Sequence, residues 1–192
     1  MPAENLLEAP ESMPPKAQEP APDAEFPRSD ALILFLDYDG VLHPDPCPSS
    51  SRLFENANRL SQAVSDYPEV AVVLSTSWRM ARPFVDLLLP LPRTLRSRVL
   101  GVTPRFGDFT PSAPLVPYRR HAECEHWLRM HRLPDTPWVA LDDRAAWFAP
   151  YCENLIECDP ERGFDETVCA RLVSTLQMAR ERHGDELDFV IA

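Results

Sequence analysis

The feature that most constrains the fold is an unbroken apolar run, Ala31-Leu32-Ile33-Leu34-Phe35-Leu36, which ends in the segment Asp37-Tyr38-Asp39-Gly40. A strand with one solvent face alternates apolar and polar residues, whereas a continuous run indicates a strand that is buried on both faces. Such strands are typical of parallel sheets covered by helices. The run therefore predicts an α/β fold.

The rest of the chain alternates strand and helix patterns. Further strands are predicted at 70–74, 99–102, 138–141 and 155–158, and helices over 52–66, over 120–131 and from an Asp165 cap onward. The helix over 52–66 would bury Leu53, Ala57, Leu60 and Val64 on one face. This order predicts a doubly wound, Rossmann-like three-layer sandwich with a mainly parallel sheet of about five strands.

The predicted domain has no room for a large cap. Only about 35 residues separate Asp39 from Ser75, and a helix takes nearly half of them. Prolines break the segment from 79 to 118 into short turns, and its stretch from 90 to 118 is a candidate partial lid. We therefore expect an open crevice.

The first part of the chain differs in composition from the rest. Residues 1–29 hold seven prolines and only four larger apolar residues. Such a segment buries too little apolar surface to offset the entropy of ordering, so a disordered leader is predicted over 1–29 and a folded domain over 30–192.

Composition excludes several classes of function. The net charge of -11 argues against strong non-specific binding to a nucleic-acid backbone, which needs a basic surface. No apolar run approaches the roughly 18 residues that cross a bilayer, so no membrane partner is expected. Lys16 is the only lysine, which excludes mechanisms that need a lysine in the folded domain.

The number and spacing of the cysteines and the composition of the N-terminus bear on the cellular compartment. The five cysteines are odd in number and form no C-x-x-C pair, so neither a disulfide framework nor a zinc site is expected. The first residues show no secretory signal. We expect a cytoplasmic protein with reduced thiols.

Polar residues follow three of the predicted strands, where an α/β sheet places its ligand crevice. Asp37 and Asp39 follow the first strand, Ser75-Thr76-Ser77 the second, and Asp142-Asp143 the fourth. Four carboxylates at one sheet edge would repel one another without a cation, and hard oxygen ligands suit Mg²⁺. The sequence therefore predicts a magnesium site.

These motifs carry a family resemblance. D-x-D-G-V-L at 37–42, a strand ending in Ser75, a basic residue at the start of a later helix and Asp142-Asp143 resemble the four ordered motifs of haloacid dehalogenase-like (HAD) hydrolases. The segments 74–79, 120–128 and 141–143 are similar to the small bacterial HAD domain found in Swiss Army Knife RNA repair proteins. The resemblance covers roughly residues 31–178.

The resemblance implies a role for each acidic residue. Asp37 would be the nucleophile that forms an aspartyl-phosphate. Asp39 would be the general acid and base, and its backbone carbonyl would join the metal shell. The metal residues would then be Asp37, Asp39, Asp142 and Asp143, with Mg²⁺ as the cofactor.

The resemblance also implies residues that hold the phosphate. Ser75 would bind a phosphoryl oxygen, Arg120 would stabilise the transferring charge where the family more often has lysine, and Gly40, Thr76 and Arg79 would contribute to substrate binding. Whether Arg79, Arg119 or Arg120 reaches the phosphate stays open at this point.

The predicted function is a magnesium-dependent phosphomonoester hydrolase acting on a phosphorylated substrate. Two alternatives remain: a nucleic-acid end phosphatase in repair, and a catalytically silent HAD-fold binding module. Intact Asp37 and Asp39 argue against the silent module.

Overall fold

The computed structural model describes residues 31–109, 118–131, 133 and 135–191. The leader predicted over 1–29 lies outside the described residues, as does the segment 110–117 of the candidate lid.

The five predicted strands form one sheet in which every neighbouring pair is parallel. The strands are β1 (Leu32–Leu36), β2 (Val70–Leu74), β3 (Val99–Val102), β4 (Trp138–Asp142) and β5 (Leu155–Glu157), in the order β3-β2-β1-β4-β5. The strand β1 lies at the centre, and all its residues are buried. This confirms the doubly wound fold.

Six α-helices connect and cover the strands in the described part of the chain. They are α1 (Ala57–Ala63), α2 (Phe84–Leu88), α3 (Arg93–Arg96), α4 (Phe106–Phe109), α5 (Arg119–Met130) and α6 (Glu166–Ile191). Short 3-10 segments span Ser50–Arg52, Ser77–Met80 and Ala145–Trp147.

The two faces of the sheet have separate cores. Ile33 and Phe35 of β1 pack with Cys124 and Trp127 of α5 on one side. On the other side, the alternate residues of β1 pack against residues of α1 and α6, including Leu60 and Leu172. Because successive side chains of a strand point to opposite faces, the continuous apolar run of β1 supplies both cores.

The predicted helix over 52–66 is shorter in the structure. Residues 53–56 form turns, Phe54 has a φ of 60°, and Leu53 is 39% exposed where burial was predicted. The backbone amide of Asn56 donates to the Leu42 carbonyl at 3.0 Å, and Phe54 contacts Tyr38 edge to face. Residues 53–56 therefore pack on the loop after β1 and do not form the first turns of the predicted helix.

The predicted N-cap of the last helix is confirmed. The Asp165 side chain accepts hydrogen bonds from the amides of Thr167 and Val168, as an N-cap does. All five cysteines are free. Between β1 and β2 the chain forms only a 3-10 turn and α1, so no large cap is inserted there. None of the described helices is long and apolar enough to span a membrane.

Candidate active site

The carboxyl ends of β1, β2 and β4 bring the predicted polar residues to one edge of the sheet. Asp37 follows β1 directly, Asp142 is the last residue of β4, and Ser75 follows β2. The backbone amides of Asp37 and Ser75 continue the ladder by donating to the carbonyls of Leu141 and Leu36 at 3.1 and 2.9 Å. The parallel register therefore fixes these residues side by side.

Three of the predicted metal residues form a cluster at this edge. Asp37, Asp142 and Asp143 each offer an oxygen atom, and these atoms lie within 4.8 Å of one another. Asp37 is 3% exposed and Asp142 is fully buried. Burial raises the pKa of all three carboxyls, to about 7 for Asp142 and about 6 for Asp143, because the charged form loses hydration.

Arg120 is the cation nearest to the cluster. Its guanidinium lies 3.5 Å from Asp37 Oδ2, 3.7 Å from Asp142 Oδ2 and 3.7 Å from Glu123 Oε2. The side chain is buried, and its charge opposes the burial effect on the pKa of Asp37. Of the three candidate arginines, Arg120 is the one paired with the predicted nucleophile.

The charges around the cluster fit a divalent cation. Six charged groups are buried or partly buried here. Four are carboxylates, those of Asp37, Glu123, Asp142 and Asp143, and two are guanidinium groups, those of Arg79 and Arg120. When ionised, this set has a net charge of -2. The exposed Arg144 lies 3.8 Å from Asp143 Oδ1 but also pairs with Asp45, so it offsets this charge only in part. Net charge is costly in a poorly solvated site. Asp142 Oδ2 and Asp143 Oδ1 are also buried without a hydrogen-bond partner. These oxygens suit Mg²⁺.

Gly40 has two reasons to be glycine. Its φ is +68°, which side chains other than glycine rarely adopt. A Cβ atom there would lie 2.5 to 2.7 Å from the side-chain atoms of Asp143. Gly40 thus lets the loop after β1 turn sharply and lie against Asp143, which directly follows β4.

The carboxylate of Asp39 lies outside the cluster and is held by three groups. Trp78 Nε1 donates to its oxygens at 3.0 and 2.9 Å, Ser77 Oγ donates at 3.3 Å, and His43 Nε2 lies 3.1 Å from Oδ1. Burial raises the pKa of Asp39, but these hydrogen bonds outweigh burial and lower it. The metal contact predicted for its backbone carbonyl stays a prediction.

Ser75 and Thr76 line the site on the β2 side. Both are buried. A hydrogen bond from the Thr76 side chain favours the ionised form of Asp37 and so works against the rise in its pKa. The amide of Tyr38 also donates to Asp37 Oδ1 at 2.7 Å. Hydrogen-bond donors from the loops after β1 and β2 therefore contact the predicted nucleophile. Phosphate binding by Ser75 stays a prediction.

Arg79 has its hydrogen-bond donors occupied. Its guanidinium donates to carbonyl oxygens of Ser75, Thr76, Thr103 and Pro104 and, at 2.5 Å, to Glu123 Oε2. Arg79 therefore fixes the loop after β2 to α5. Arg119 is exposed and lies 3.9 Å from the ring centroid of Trp147.

The chain also matches a described protein family. Residues 33–169 match the family described as the HAD domain in Swiss Army Knife RNA repair proteins, which is more than two thirds of the chain. The chain belongs to this family. The match confirms the resemblance found in the sequence and places this HAD domain in a hydrolase superfamily. Comparison of the chain with curated proteins and with solved structures gives no match.

The predicted motifs do not include several residues of the HAD domain that support the site. His43 is buried beside Asp39, and Trp78, which packs against Tyr38 and Phe54, also donates to Asp39. The amide group of Asn56 donates to the Val41 carbonyl at 3.3 Å. His43 follows Asp39 closely in the chain and Trp78 follows Ser75 closely, which is a signal, but only side-chain direction shows what they contact.

Proposed function

We propose that this HAD domain is a magnesium-dependent phosphomonoester hydrolase that works through an aspartyl-phosphate on Asp37. The observation that carries the proposal is the cluster of Asp37, Asp142 and Asp143 beside the buried guanidinium of Arg120, in which two carboxylate oxygens have no hydrogen-bond partner. Arg120 lies 3.7 Å from Asp142 Oδ2 and Arg144 lies 3.8 Å from Asp143 Oδ1, so neither arginine forms a hydrogen bond with these oxygens. A phosphoryl-transfer site needs them for a cation.

The first half of the reaction transfers the phosphoryl group. A carboxylate oxygen of Asp37 forms a bond to phosphorus while the ester P–O bond breaks. Asp39 must carry a proton at this step, against the lowering of its pKa by its hydrogen bonds in the free domain, and it gives that proton to the leaving oxygen. Arg120 lies beside Asp37 and stabilises the negative charge that spreads over the phosphoryl oxygens. The products are a free alcohol and the aspartyl-phosphate.

The second half regenerates the enzyme. Asp39, now ionised, takes a proton from a water molecule that attacks phosphorus, and the bond from Asp37 to phosphorus breaks. Inorganic phosphate leaves and Asp37 returns as a carboxylate. When bound, Mg²⁺ held by Asp37, Asp142 and Asp143 would neutralise the carboxylates and the phosphoryl charge.

The groups around Asp39 hold its carboxylate in one orientation, as proton transfer to a leaving oxygen requires. Trp78 and Ser77 belong to the segment after β2, and His43 to the loop after β1, so two elements orient one carboxylate. The orientation of a catalytic carboxyl and its protonation of a leaving oxygen each lower the barrier.

The test is Mg²⁺-dependent release of p-nitrophenol from p-nitrophenyl phosphate. We expect turnover that EDTA abolishes and that falls by at least about a thousandfold in Asp37→Asn, since nucleophile removal leaves little catalysis. Asp86→Asn, at an exposed aspartate of α2, is the matched control and should keep full activity. Equal turnover by wild type and Asp37→Asn would overturn the proposal.

A silent binding module is distinguished by a measurement that needs no substrate. Beryllofluoride binds a reactive aspartate in place of a phosphoryl group, and a ligand that binds only the folded state raises Tm. We expect Mg²⁺ with beryllofluoride to raise the Tm of the wild type but not of Asp37→Asn. If neither turnover nor this shift occurs, the domain is a binding module.

The biological setting is also a proposal. A cytoplasmic location agrees with five free cysteines. The family description concerns RNA repair proteins, which makes the phosphorylated end of a nucleic acid a candidate substrate.

A further inference from the structure

A group of exposed apolar side chains lies on α2 and on the 3-10 segment before it. Val85 and Leu89 are 65% and 66% exposed and lie one helical turn apart, and Met80 in the contacting 3-10 segment is 50% exposed. The other large apolar residues that are exposed in the described part of the chain are distributed over other segments. Single exposed apolar residues are common, whereas a group of them indicates a binding surface. We call Met80, Val85 and Leu89 the α2 face.

Arginine side chains border the α2 face at both ends. Arg105 Nη2 donates to the Met80 carbonyl at 3.3 Å, and Arg96 Nη2 donates to the Leu89 carbonyl at 2.9 Å. Both arginines are exposed, and neither has a carboxylate partner among the described residues. The segment 79–105 holds six arginines and one acidic residue, within a chain whose net charge is -11. The face therefore suits a partner that is acidic and carries apolar side chains.

The first 30 residues of the chain have the matching composition. They hold seven acidic and two basic residues, and they lie outside the described residues. In residues 4–8, Glu-Asn-Leu-Leu-Glu, two adjacent leucines lie between glutamates, and Glu11 follows. The internal segment 110–117, which also lies outside the described residues, carries no charge. Charge and apolar content therefore favour residues 4–11 over that segment as the occupant of the α2 face.

The leader is long enough to reach this face from its own chain. The leader joins β1 at Ala31, and the five residues of β1 span about 16 Å. At the carboxyl end of β1, Tyr38 Oη donates to the Leu87 carbonyl of α2 at 2.8 Å, so α2 lies close to that end. Residues 12–30 can span up to about 60 Å when extended. Residues 4–11 can therefore reach the α2 face of the same chain.

We infer that residues 4–11 dock on the α2 face of their own chain. The two leucines of this segment cover Val85 and Leu89, and its glutamates pair with Arg96 and Arg105. Apolar burial supplies most of the free energy of docking, since exposed ion pairs contribute little, and the charges select an acidic segment. The inference goes beyond the proposed phosphatase activity and does not depend on it.

The α2 face lies next to the leaving-group side of the proposed active site. Met80 follows Trp78 by two residues in the same 3-10 segment, and the Trp78 indole donates to Asp39. The guanidinium carbon of Arg82, which precedes α2, lies 4.2 Å from the centroid of that indole. A docked leader would therefore lie beside the residues that position the proposed general acid.

Fluorescence anisotropy of a labelled peptide of residues 1–14 tests the docking in the full chain. The double variant Leu6→Asp, Leu7→Asp carries its changes in the leader and should leave the α2 face free. A tethered segment has an effective concentration of about 1 mM, so an intrinsic Kd of about 100 μM would keep the leader docked most of the time. We expect the peptide to bind the leader variant with a Kd of about 100 μM. It should bind the wild-type chain about tenfold more weakly, because the leader of the wild type competes.

Changes on the α2 face are tested in the background of the leader variant. Val85→Asp should weaken peptide binding at least about tenfold, since it puts a charge where a leucine of the peptide packs. Met130→Asp is the matched control, because Met130 is 67% exposed but lies on α5. This control should leave the affinity for the peptide unchanged.

An exchange of charges separates ion pairing from damage to the fold. Arg96→Glu should weaken binding of the native peptide about threefold, as loss of an exposed ion pair does. A peptide with lysine in place of its three glutamates should bind Arg96→Glu more tightly than it binds the protein with Arg96, which is the reverse of the native peptide. Arg182→Glu, at an exposed arginine of α6, is the control and should change both affinities by less than about 1.5-fold.

Several results would overturn the inference. Equal affinity of the peptide for the wild type and the leader variant would show that the leader does not occupy the face. A wild-type dimer in sedimentation velocity that dissociates in the leader variant would assign the leader to a second copy of the chain. If the peptide binds neither protein, and phosphatidylserine vesicles bind the wild type but not Val85→Asp, the face binds membranes instead. None of these measurements needs turnover, so failure of the proposed phosphatase activity is recognised separately.

Discussion

At the scale of the residue, the site contains buried charged groups that the neighbouring hydrogen bonds and ion pairs satisfy only in part. Asp142 is fully buried, yet one of its oxygens lacks a hydrogen bond, and Arg120 serves three carboxylates at 3.5 to 3.7 Å. Folded proteins rarely leave such groups unsatisfied, because each costs roughly 1–3 kcal/mol or more. The proposed cation would complete the arrangement.

Gly40→Ala should disrupt the site through both the backbone and Asp143. A left-handed conformation costs an alanine about 1–2 kcal/mol, and the new methyl group would overlap the Asp143 carboxylate. We expect a lower Tm and at least about a hundredfold loss of kcat/KM, since a small displacement of catalytic groups has that effect. Gly107→Ala, whose Cβ would meet nothing within 4 Å, should retain activity. Full activity in Gly40→Ala would contradict the role of this loop.

Trp78→Phe should affect esters with poor leaving groups most. The change removes the N–H that orients Asp39, and alkoxide leaving groups need its proton far more than p-nitrophenolate does. We expect kcat/KM to fall about tenfold for an alkyl phosphate and about twofold for p-nitrophenyl phosphate. Both losses are smaller than the loss expected from removing the general acid itself, because Asp39 is still present. Trp138→Phe, on β4, should change both equally. A uniform loss in Trp78→Phe would argue against Asp39 as the acid.

At the scale of the element, α5 is fixed to the loop after β2 by a buried charge network. Glu123 accepts from Arg79, lies 3.7 Å from Arg120 and accepts from the amide of Phe106 at 3.0 Å. Burial lowers the pKa of the Arg79 guanidinium, and the charge of Glu123 opposes this effect. One helix therefore carries both the cation of the site and the carboxylate that positions two arginines.

Glu123→Gln should destabilise the domain strongly. The substitution keeps the side-chain shape but leaves the buried guanidinium of Arg79 without its charge partner and removes one of the three carboxylates around Arg120. Breaking a buried pair in this way typically costs about 3–5 kcal/mol. Urea denaturation should show a lower midpoint with an unchanged slope. Glu125→Gln, on the exposed face of α5, removes only surface pairs and should cost less than about 1 kcal/mol. Similar losses in the two variants would refute the network.

At the scale of the whole molecule, the metal should link the active site to stability. The proposed Mg²⁺ would bind the ordered carboxylates of the folded state, which the ends of β1 and β4 bring together, and would have no such site in the unfolded chain. The folded state should therefore gain free energy as Mg²⁺ increases.

Thermal unfolding at pH 7.5 tests this link. At a Mg²⁺ concentration about ten times Kd the gain is about 1.4 kcal/mol, which corresponds to a rise in Tm of about 3–6 °C for a domain of this size. EDTA should reverse the rise, and Asp142→Asn should abolish it. An identical Tm with Mg²⁺ and with EDTA would contradict a metal site at this edge.

The sequence alone determined the elements whose signals are local. The apolar run of β1 and the later strand patterns predict the parallel sheet, and the order of Asp37, Ser75, Arg120 and Asp142 identifies the edge where they meet. These signals hold because side-chain periodicity and strand ends are fixed by the chain itself.

Tertiary structure decided what depends on contacts between distant segments. Phe54 and Asn56 leave the predicted helix because they dock on the loop after β1, and His43 is buried because that same loop folds beneath Trp78. Likewise Arg120 rather than Arg79 faces Asp37, because carbonyl groups of the β2 loop occupy the donors of Arg79. Side-chain direction and the competition for partners arise only when the elements pack, and no local pattern encodes them.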